Sequence, residues 1–232
     1  MLATINGQMA ALEADAEKKQ MLVDNMAHEL RTPLTSIRGY AEYLERAAVN
    51  EEERILASKY IISEAERLTK ISEILLDNAY IRENSPEMKD VDLSEILLDT
   101  KMRLEAKARE KGISIICEAE KAVVRGNPVL LSMLFYNLTE NALKACAEGG
   151  RIVLKCNGTA ASVSDNGKGM TKEQLRHITE PFYRTDKSRS RAEGGAGLGL
   201  ALCKNIAAVH GSELHFESET GKGTKVFLDF TT

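Results

Sequence analysis

The sequence predicts an α + α/β protein. An N-terminal helical hairpin dimerises into a four-helix bundle, and a C-terminal two-layer α/β sandwich follows. Three observations predict it. Residues 1–88 hold only two glycines, Gly7 and Gly39, and their apolar residues recur with a helical period. Beyond Pro86, glycines concentrate and short alternating segments intervene between helical ones. At the junction Glu83-Asn84-Ser85-Pro86, Pro86 pushes Ser85 out of helical space. Domains of 1–88 and 89–232 follow.

Val23, Leu30, Ile37 and Leu44 recur every seven residues, flanked by Met26, Pro33 and Tyr40 and by Ala27, Leu34 and Ala41. They form the apolar stripe of one long helix. A polar break at Val49-Asn50-Glu51-Glu52 precedes a second stripe: Ile61, Leu68 and Leu75, with Ala65, Ser72 and Ala79. One such hairpin buries its stripes poorly, whereas two make a four-helix bundle, so a homodimer is expected.

In the second half, Asp92 with Glu95 reads as a capping box for a helix that stops at Gly112. Ile113–Cys117 reads as a strand. Gly126-Asn127-Pro128 opens a helix of about twenty residues, ended by Gly149-Gly150. Arg151–Cys156 and Ala160–Ser164 flank Asn157-Gly158 as a hairpin. Thr171 and Gln174 cap a short helix. Leu198–Val209 is helical to Gly211, and Glu213–Ser218 and Thr224–Phe230 alternate as strands.

Composition excludes several classes. With 43% hydrophobic and 28% charged residues and a net charge of −4, the chain carries no basic excess for nucleic acid. Aromatic residues are few and Trp is absent, which argues against base-stacking platforms. Neither a membrane span nor a signal peptide is visible. Cys117, Cys146, Cys156 and Cys203 are scattered and suggest neither a metal nor a disulfide framework.

Two glycine motifs lie where loops should hold phosphate, and neither is a P-loop. In Asp165-Asn166-Gly167-Lys168-Gly169, a strand-end carboxylate can accept from an exocyclic amine of a base, and Gly167 and Gly169 admit backbone close to a flat ring. In Gly195-Ala196-Gly197-Leu198-Gly199-Leu200, glycines free N–H groups at a helix start, where the dipole favours phosphate. Asn137, Asn141 and Lys144 share one helix face, a set suited to Mg²⁺–triphosphate.

His28 lies off the first stripe and should face solvent. Thr32 projects from the same face, Glu29 is adjacent, and Pro33 should bend or loosen the helix. An exposed imidazole beside a carboxylate fits a nucleophile better than a core residue. His210, in the last turn of its helix, is expected to complement the helix dipole. His177 and His215 carry no assigned role.

Taken in order, Ala27-His28-Glu29-Leu30-Arg31-Thr32-Pro33-Leu34, Asn137-Leu-Thr-Glu-Asn141-Ala-Leu-Lys144, Asp165-Asn-Gly-Lys-Gly169, Pro181-Phe-Tyr-Arg184, Gly195-Ala-Gly-Leu-Gly-Leu200 and Gly223-Thr224 resemble the motif boxes of sensor histidine kinases. The resemblance covers almost the whole chain. It implies that His28 is phosphorylated from ATP, with Glu29 as its proton acceptor and Thr32 orienting water in a reverse, phosphatase reaction. It implies Asn141 as the Mg²⁺ ligand with Asn137 beside it, Lys144 on phosphate, Asp165 on adenine, and Gly167 and Gly169 as the pocket floor. Phe182, Gly195, Gly197, Leu198, Gly199, Leu200 and Thr224 belong to its ATP-binding boxes. Arg184 is the lid cation expected to meet the triphosphate, ahead of Lys187, Arg189 and Arg191. The final acceptor it implies is an aspartate on a response regulator.

Two departures stand out. Asn127 replaces a usual Asp, and Ala145 replaces a frequent aromatic. Gyrase-like ATPases carry a glutamate where Asn137 stands, and an amide cannot act as the base for hydrolysis. A degenerate, non-catalytic scaffold would be expected to lose Asn141, Asp165 or the glycines, and all are present. A phosphatase-dominant core stays compatible with Thr32. The family usually joins this core to a sensor that is absent from this chain. The chain therefore reads as the cytoplasmic portion of a membrane-anchored sensor protein, with residues 1–20 as helical input.

Overall fold

A computed structural model describes residues 2–83, 86–185 and 197–230. Contacts divide the chain into two compact units, Met1–Glu73 and Ile74–Thr232.

The first unit is built on helix α1 (Leu2–Arg46) and the larger part of helix α2 (Glu51–Glu83), whose residues from Ile74 on belong to the second. Asn50 caps α2 reciprocally: its Oδ1 accepts from Glu53 N at 2.9 Å, and Glu53 Oε2 accepts from Asn50 N at 3.0 Å. That exchange fixes the break the polar run predicted. Helix α1 runs unbroken through Pro33, which is buried. Tyr40 and Tyr60 stack between the helices at 4.9 Å.

The stripe on α2 differs from expectation. Ile61, Leu68 and Leu75 are half-buried, Ala65 and Ser72 are exposed, and the Ala79 side chain lies outside those described. The buried line runs instead through Ala57, Arg67, Ile71, Ile74 and Ile81. A buried arginine conceals this line from a hydropathy count. Apolar residues also remain on the outside: Leu34 at 56% exposure on α1, and Ile55 and Ile62, seven residues apart, on α2.

In the second unit the order is β1 (Lys89–Asp92), α3 (Leu93–Glu110), β2 (Ser114–Ala119), β3 (Val123–Gly126), α4 (Pro128–Ala145), β4 (Arg151–Asn157), β5 (Ala160–Asp165), α5 (Lys172–His177), α6 (Gly199–Val209), β6 (His215–Glu219) and β7 (Gly223–Asp229). Five strands form one sheet in the order β2-β4-β5-β7-β6, parallel only between β2 and β4. Helices α3, α4 and α6 pack together and cover it. Leu131, Leu134, Phe135, Leu143, Leu202 and Ile206 meet Ile152, Leu154 and Leu228 in the core.

The sequence predicts one sheet. A second, two-stranded sheet pairs β1 with β3. These four-residue strands are too short for alternation to reveal. Asp92 caps α3 by accepting from Ser94 N at 2.9 Å and Ser94 Oγ at 2.7 Å, so Ser94 takes the part expected of Glu95. The β4–β5 turn is displaced by one residue. Asn157 pairs with Ala160 in the ladder, and Gly158, at φ +60°, takes the first central position. Thr171 and Gln174 form the expected capping box.

Candidate functional site

The first unit presents His28 on the exposed surface of α1. Thr32 Oγ1 donates to the His28 carbonyl at 3.2 Å. Pro33 has no N–H, so the Glu29 carbonyl loses its usual helical donor. The Glu29 carboxylate turns away to α2, where Oε2 accepts from Arg67 Nη2 at 2.7 Å. Arg67 is buried and also faces Glu64 at 3.7 Å. Arg67 Nε and Glu64 Oε2 are buried with no hydrogen-bond partner. Glu29 is thus adjacent to His28 in sequence but bonded elsewhere.

In the second unit, Asp165 ends β5 directly opposite Thr224 of β7. Its Oδ1 accepts from Gly167 N at 2.8 Å. Burial pushes the Asp165 carboxyl above its ordinary value, and backbone N–H groups of Gly167 and Thr224 hold it partly back.

The loop after Asp165 is pinned along its length. Asn166 Oδ1 accepts from Arg151 N at 2.7 Å, Lys168 N donates to Ala145 O at 3.1 Å, and Met170 N donates to Ser218 Oγ at 2.9 Å. A Cβ on Gly169 (φ +63°) would lie 2.0 Å from Glu219 O, and one on Gly167 would lie 2.5 Å from Ala145 O. Only glycine permits this floor. The backbone of Ala145 closes against it, whatever its missing aromatic would have added.

The start of α6 meets the polar face of α4. A Cβ on Gly199 would lie 3.2 Å from Asn137 Oδ1 and 3.9 Å from Asn141 Nδ2. Asn137 Nδ2 donates to Met133 O at 2.9 Å, which leaves its Oδ1 toward α6. The Asn137 amide oxygen is a neutral donor suited to a hard cation held chiefly by substrate phosphates, whereas Asn141 turns its Nδ2 toward Gly199. No group of three or more His, Cys, Asp or Glu side chains placed to hold a metal occurs among the described residues. Leu198, the N-cap residue of α6, is buried, and Leu200 is half-buried.

Phe182 and Gly197 form a neck. Phe182 N donates to Gly197 O at 2.9 Å, and both take positive φ, +65° and +72°. For phenylalanine that conformation is strained. Arg184 is half-buried beside the neck. Gly195, Lys187, Arg189 and Arg191 lie outside the described residues.

Residues 18–84 match the family model of the His Kinase A (phospho-acceptor) domain, and residues 126–232 that of the histidine kinase-, DNA gyrase B- and HSP90-like ATPase. The chain belongs to the histidine kinases. This kinase core is 31% identical over 239 residues to the sensor histidine kinase YkoH of Bacillus subtilis, covering 98% of this chain and 51% of that protein. The chain therefore spans about half the length of that relative. A solved histidine kinase, ThkA in complex with the response regulator protein TrrA, shares the fold with a TM-score of 0.72. It is 22% identical, and the match covers 95% of this chain and 65% of that one. Full-length ShkA in complex with AMPPNP aligns with a TM-score of 0.63 at 25% identity, over 91% of this chain and 45% of that one.

Several residues that shape the kinase core are not among the candidates the sequence offers. Glu140 is buried between Lys107 and Lys144, 2.9 Å from each Nζ. Its i,i+4 spacing to Lys144 was the available signal. Arg67 gave no signal, because its partner is 38 residues away. Asn127 caps α4 as an aspartate would, accepting from Val129 N and Leu130 N at 3.1 Å, and its amide also donates to Glu87 O at 3.2 Å. His210 is not a charged dipole partner. It is buried, its Nε2 accepts from Asn127 N at 3.0 Å, and Nδ1 therefore donates to Ile206 O at 2.7 Å. Burial lowers its pKa, favouring the neutral ring.

Proposed function

We propose that this core phosphorylates His28 with the γ-phosphoryl group of ATP bound in its second unit, then passes that group to an aspartate of a response regulator. The observation that carries the reading is an exposed His28 within the phospho-acceptor match, in one chain with a site that sets the Asn137 amide, not a carboxylate, against the start of α6. An amide supports phosphate binding but supplies no base for hydrolysis.

A ring nitrogen of His28 attacks the γ-phosphorus in line. The bond to the ADP oxygen breaks, the ring gives up its proton, and the products are ADP and a phosphoramidate. Glu29 is the proposed proton acceptor, once its carboxylate is available to His28. Asp165 and Thr224 read adenine, Gly167 and Gly169 seat its ring, and the glycines of 195–199 with Leu198 and Leu200 flank the triphosphate. Lys144 and Arg184 offset phosphate charge, and Phe182 sets the neck of their loop. Asn141, with Asn137, is the proposed holder of Mg²⁺, which neutralises charge on the phosphates when bound. Thr32 is proposed to orient water for dephosphorylation.

The functional boundary is proposed at 88/89, with α2 continuous across the contact divide. The exposed apolar side chains of Leu34 on α1 and of Ile55 and Ile62 on α2 support a homodimer. ThkA's complex with TrrA supports a receiver-domain partner. YkoH's name and length support placing the core within a longer sensor protein, and we propose that it is the cytoplasmic portion of a membrane-anchored one.

Incubation with γ-labelled ATP and Mg²⁺ tests the reading. It should label the chain with an acid-labile, alkali-stable phosphate. His28→Gln abolishes this label and Asn141→Ala nearly does. Acid-stable label, or undiminished label in His28→Gln, overturns it. Light scattering should return about twice 25.6 kDa. A concentration-independent monomer would remove the dimer.

A further inference from the structure

Asp165, Thr224 and Ser218 stand in one row across β5, β7 and β6, since Asp165 pairs with Thr224 and Thr224 with Ser218. Directly paired residues project from the same face of a sheet. Here it is the face that carries buried Val163, Val226 and Leu228.

The hydrogen bonds of Ser218 decide which way the Thr224 hydroxyl points. Ser218 Oγ lies 2.8 Å from Gly223 O, 2.9 Å from Met170 N and 2.9 Å from Thr224 Oγ1. A hydroxyl has one proton and two acceptor sites. Gly223 O can only accept, so it takes the Ser218 proton. Met170 N–H can only donate, so it fills one acceptor site. The contact with Thr224 must therefore use the remaining acceptor site, and the Thr224 hydroxyl donates to Ser218. Its own lone pairs are what it can offer a ligand. Beside it, the Asp165 carboxylate also accepts. The corner they share accepts hydrogen bonds and donates none.

We propose that Ser218 is a specificity-determining positioning residue. By holding the Thr224 proton it makes the base-reading corner accept-only, and so selects a 6-amino purine nucleotide over a 6-oxo one. This rests on the proposed reading of Asp165 and Thr224 as the adenine contacts. A 6-amino group donates to such a corner, whereas a 6-oxo group accepts and meets lone pairs on both sides. Ser218 sits outside the glycine motifs. A merely structural role, tying the end of the glycine loop to β7, would affect both nucleotides alike.

The test is calorimetric titration of the full chain, with Mg²⁺, using ATP and inosine triphosphate, which differ at position 6 of the purine. In Ser218→Ala the Thr224 proton is released and can donate to a 6-oxo group. The preference for ATP over inosine triphosphate should fall about tenfold, the scale of one hydrogen bond, through tighter binding of inosine triphosphate. Ser218→Thr, which keeps the hydroxyl, should retain the preference. Equal weakening of both nucleotides in Ser218→Ala overturns the proposal and leaves the nucleotide site intact. A wild-type chain that binds neither overturns the adenine reading itself. If circular dichroism shows Ser218→Ala unfolded, Thr224→Val decides. It removes the opposing lone pairs, so the preference should again fall, and an unchanged ratio overturns the proposal.

Discussion

Replacing Arg67 by methionine should loosen the helical hairpin around His28 by an amount that can be bounded. The Arg67 side chain is 6% exposed, and it lies between Glu29 and Glu64, which are 21% and 23% exposed. Removing one partner of a fully buried ion pair costs about 3–5 kcal/mol, because the other charge is stranded. Both carboxylates here retain a path to water, so the expected cost drops to about 2–3 kcal/mol. Opening of α1 and α2 should then rise roughly 30- to 150-fold. Peptide-resolved hydrogen exchange at fixed protein concentration reads this for α1 and α2 apart from the second unit. The cycle with Glu29→Gln supplies the check. With Glu29 neutral, Arg67→Met strands one carboxylate fewer and should cost at least about 1 kcal/mol less. Protection changed by less than about threefold, or a cost indifferent to Glu29→Gln, would refute the stranded-charge argument.

Three further expectations follow from the second unit. Burial raises the Asp165 pKa, so its stability contribution is present below the ordinary carboxylate value and lost as pH rises through the folded value. Asp165→Asn should therefore raise the melting temperature at neutral pH while weakening ATP by roughly ten- to hundredfold, the loss of one charged hydrogen bond; unchanged melting with full ATP affinity would contradict this. His210 has the opposite sign: its folded pKa is depressed, so stability is complete above about pH 6.5 and falls as pH drops toward the folded value. Melts between pH 8 and 5 should show this fall, at no more than about 1.4 kcal/mol per pH unit, and His210→Gln should lack it. Gly169→Ala, whose Cβ would meet Glu219 O at 2.0 Å, should cost about 2–5 kcal/mol. Gly149→Ala, at φ +79° with nothing within 4 Å, should cost only about 1 kcal/mol in thermal melts, and equal costs would undo the steric argument.

What the sequence disclosed was local. Caps such as Thr171–Gln174, the helix stops at Gly112 and Gly211, and the shared face of Asn137, Asn141 and Lys144 depend on neighbours within a turn or two, and each was legible. The motif order was legible too, because it needs only spacing. What stayed hidden depends on partners distant in the chain. Arg67 carries no sequence signal of burial, because its partner Glu29 lies 38 residues away across the hairpin. His210 looked like a dipole partner until Asn127 N, 83 residues away, claimed its Nε2. Ser218 was an ordinary strand residue until the β5–β7–β6 register set it beside Thr224. Strands β1 and β3 were missed because four residues carry too little alternation to register.

Helix α6 is held at both ends by α4. Its first residue, Gly199, abuts the Asn137 side chain, and His210 at its last turn receives the N–H of the residue that caps α4. Two anchorages, one at each end, stop a rod from sliding or swivelling. Helix α6 therefore behaves as a fixed rail, and the donors at its start keep a constant distance from the amides of Asn137 and Asn141. Among the described residues beside that mouth, Phe182 and Gly197 are joined backbone to backbone and both already wound into the left-handed region, so the chain enters and leaves the rail's foot through two fixed bends.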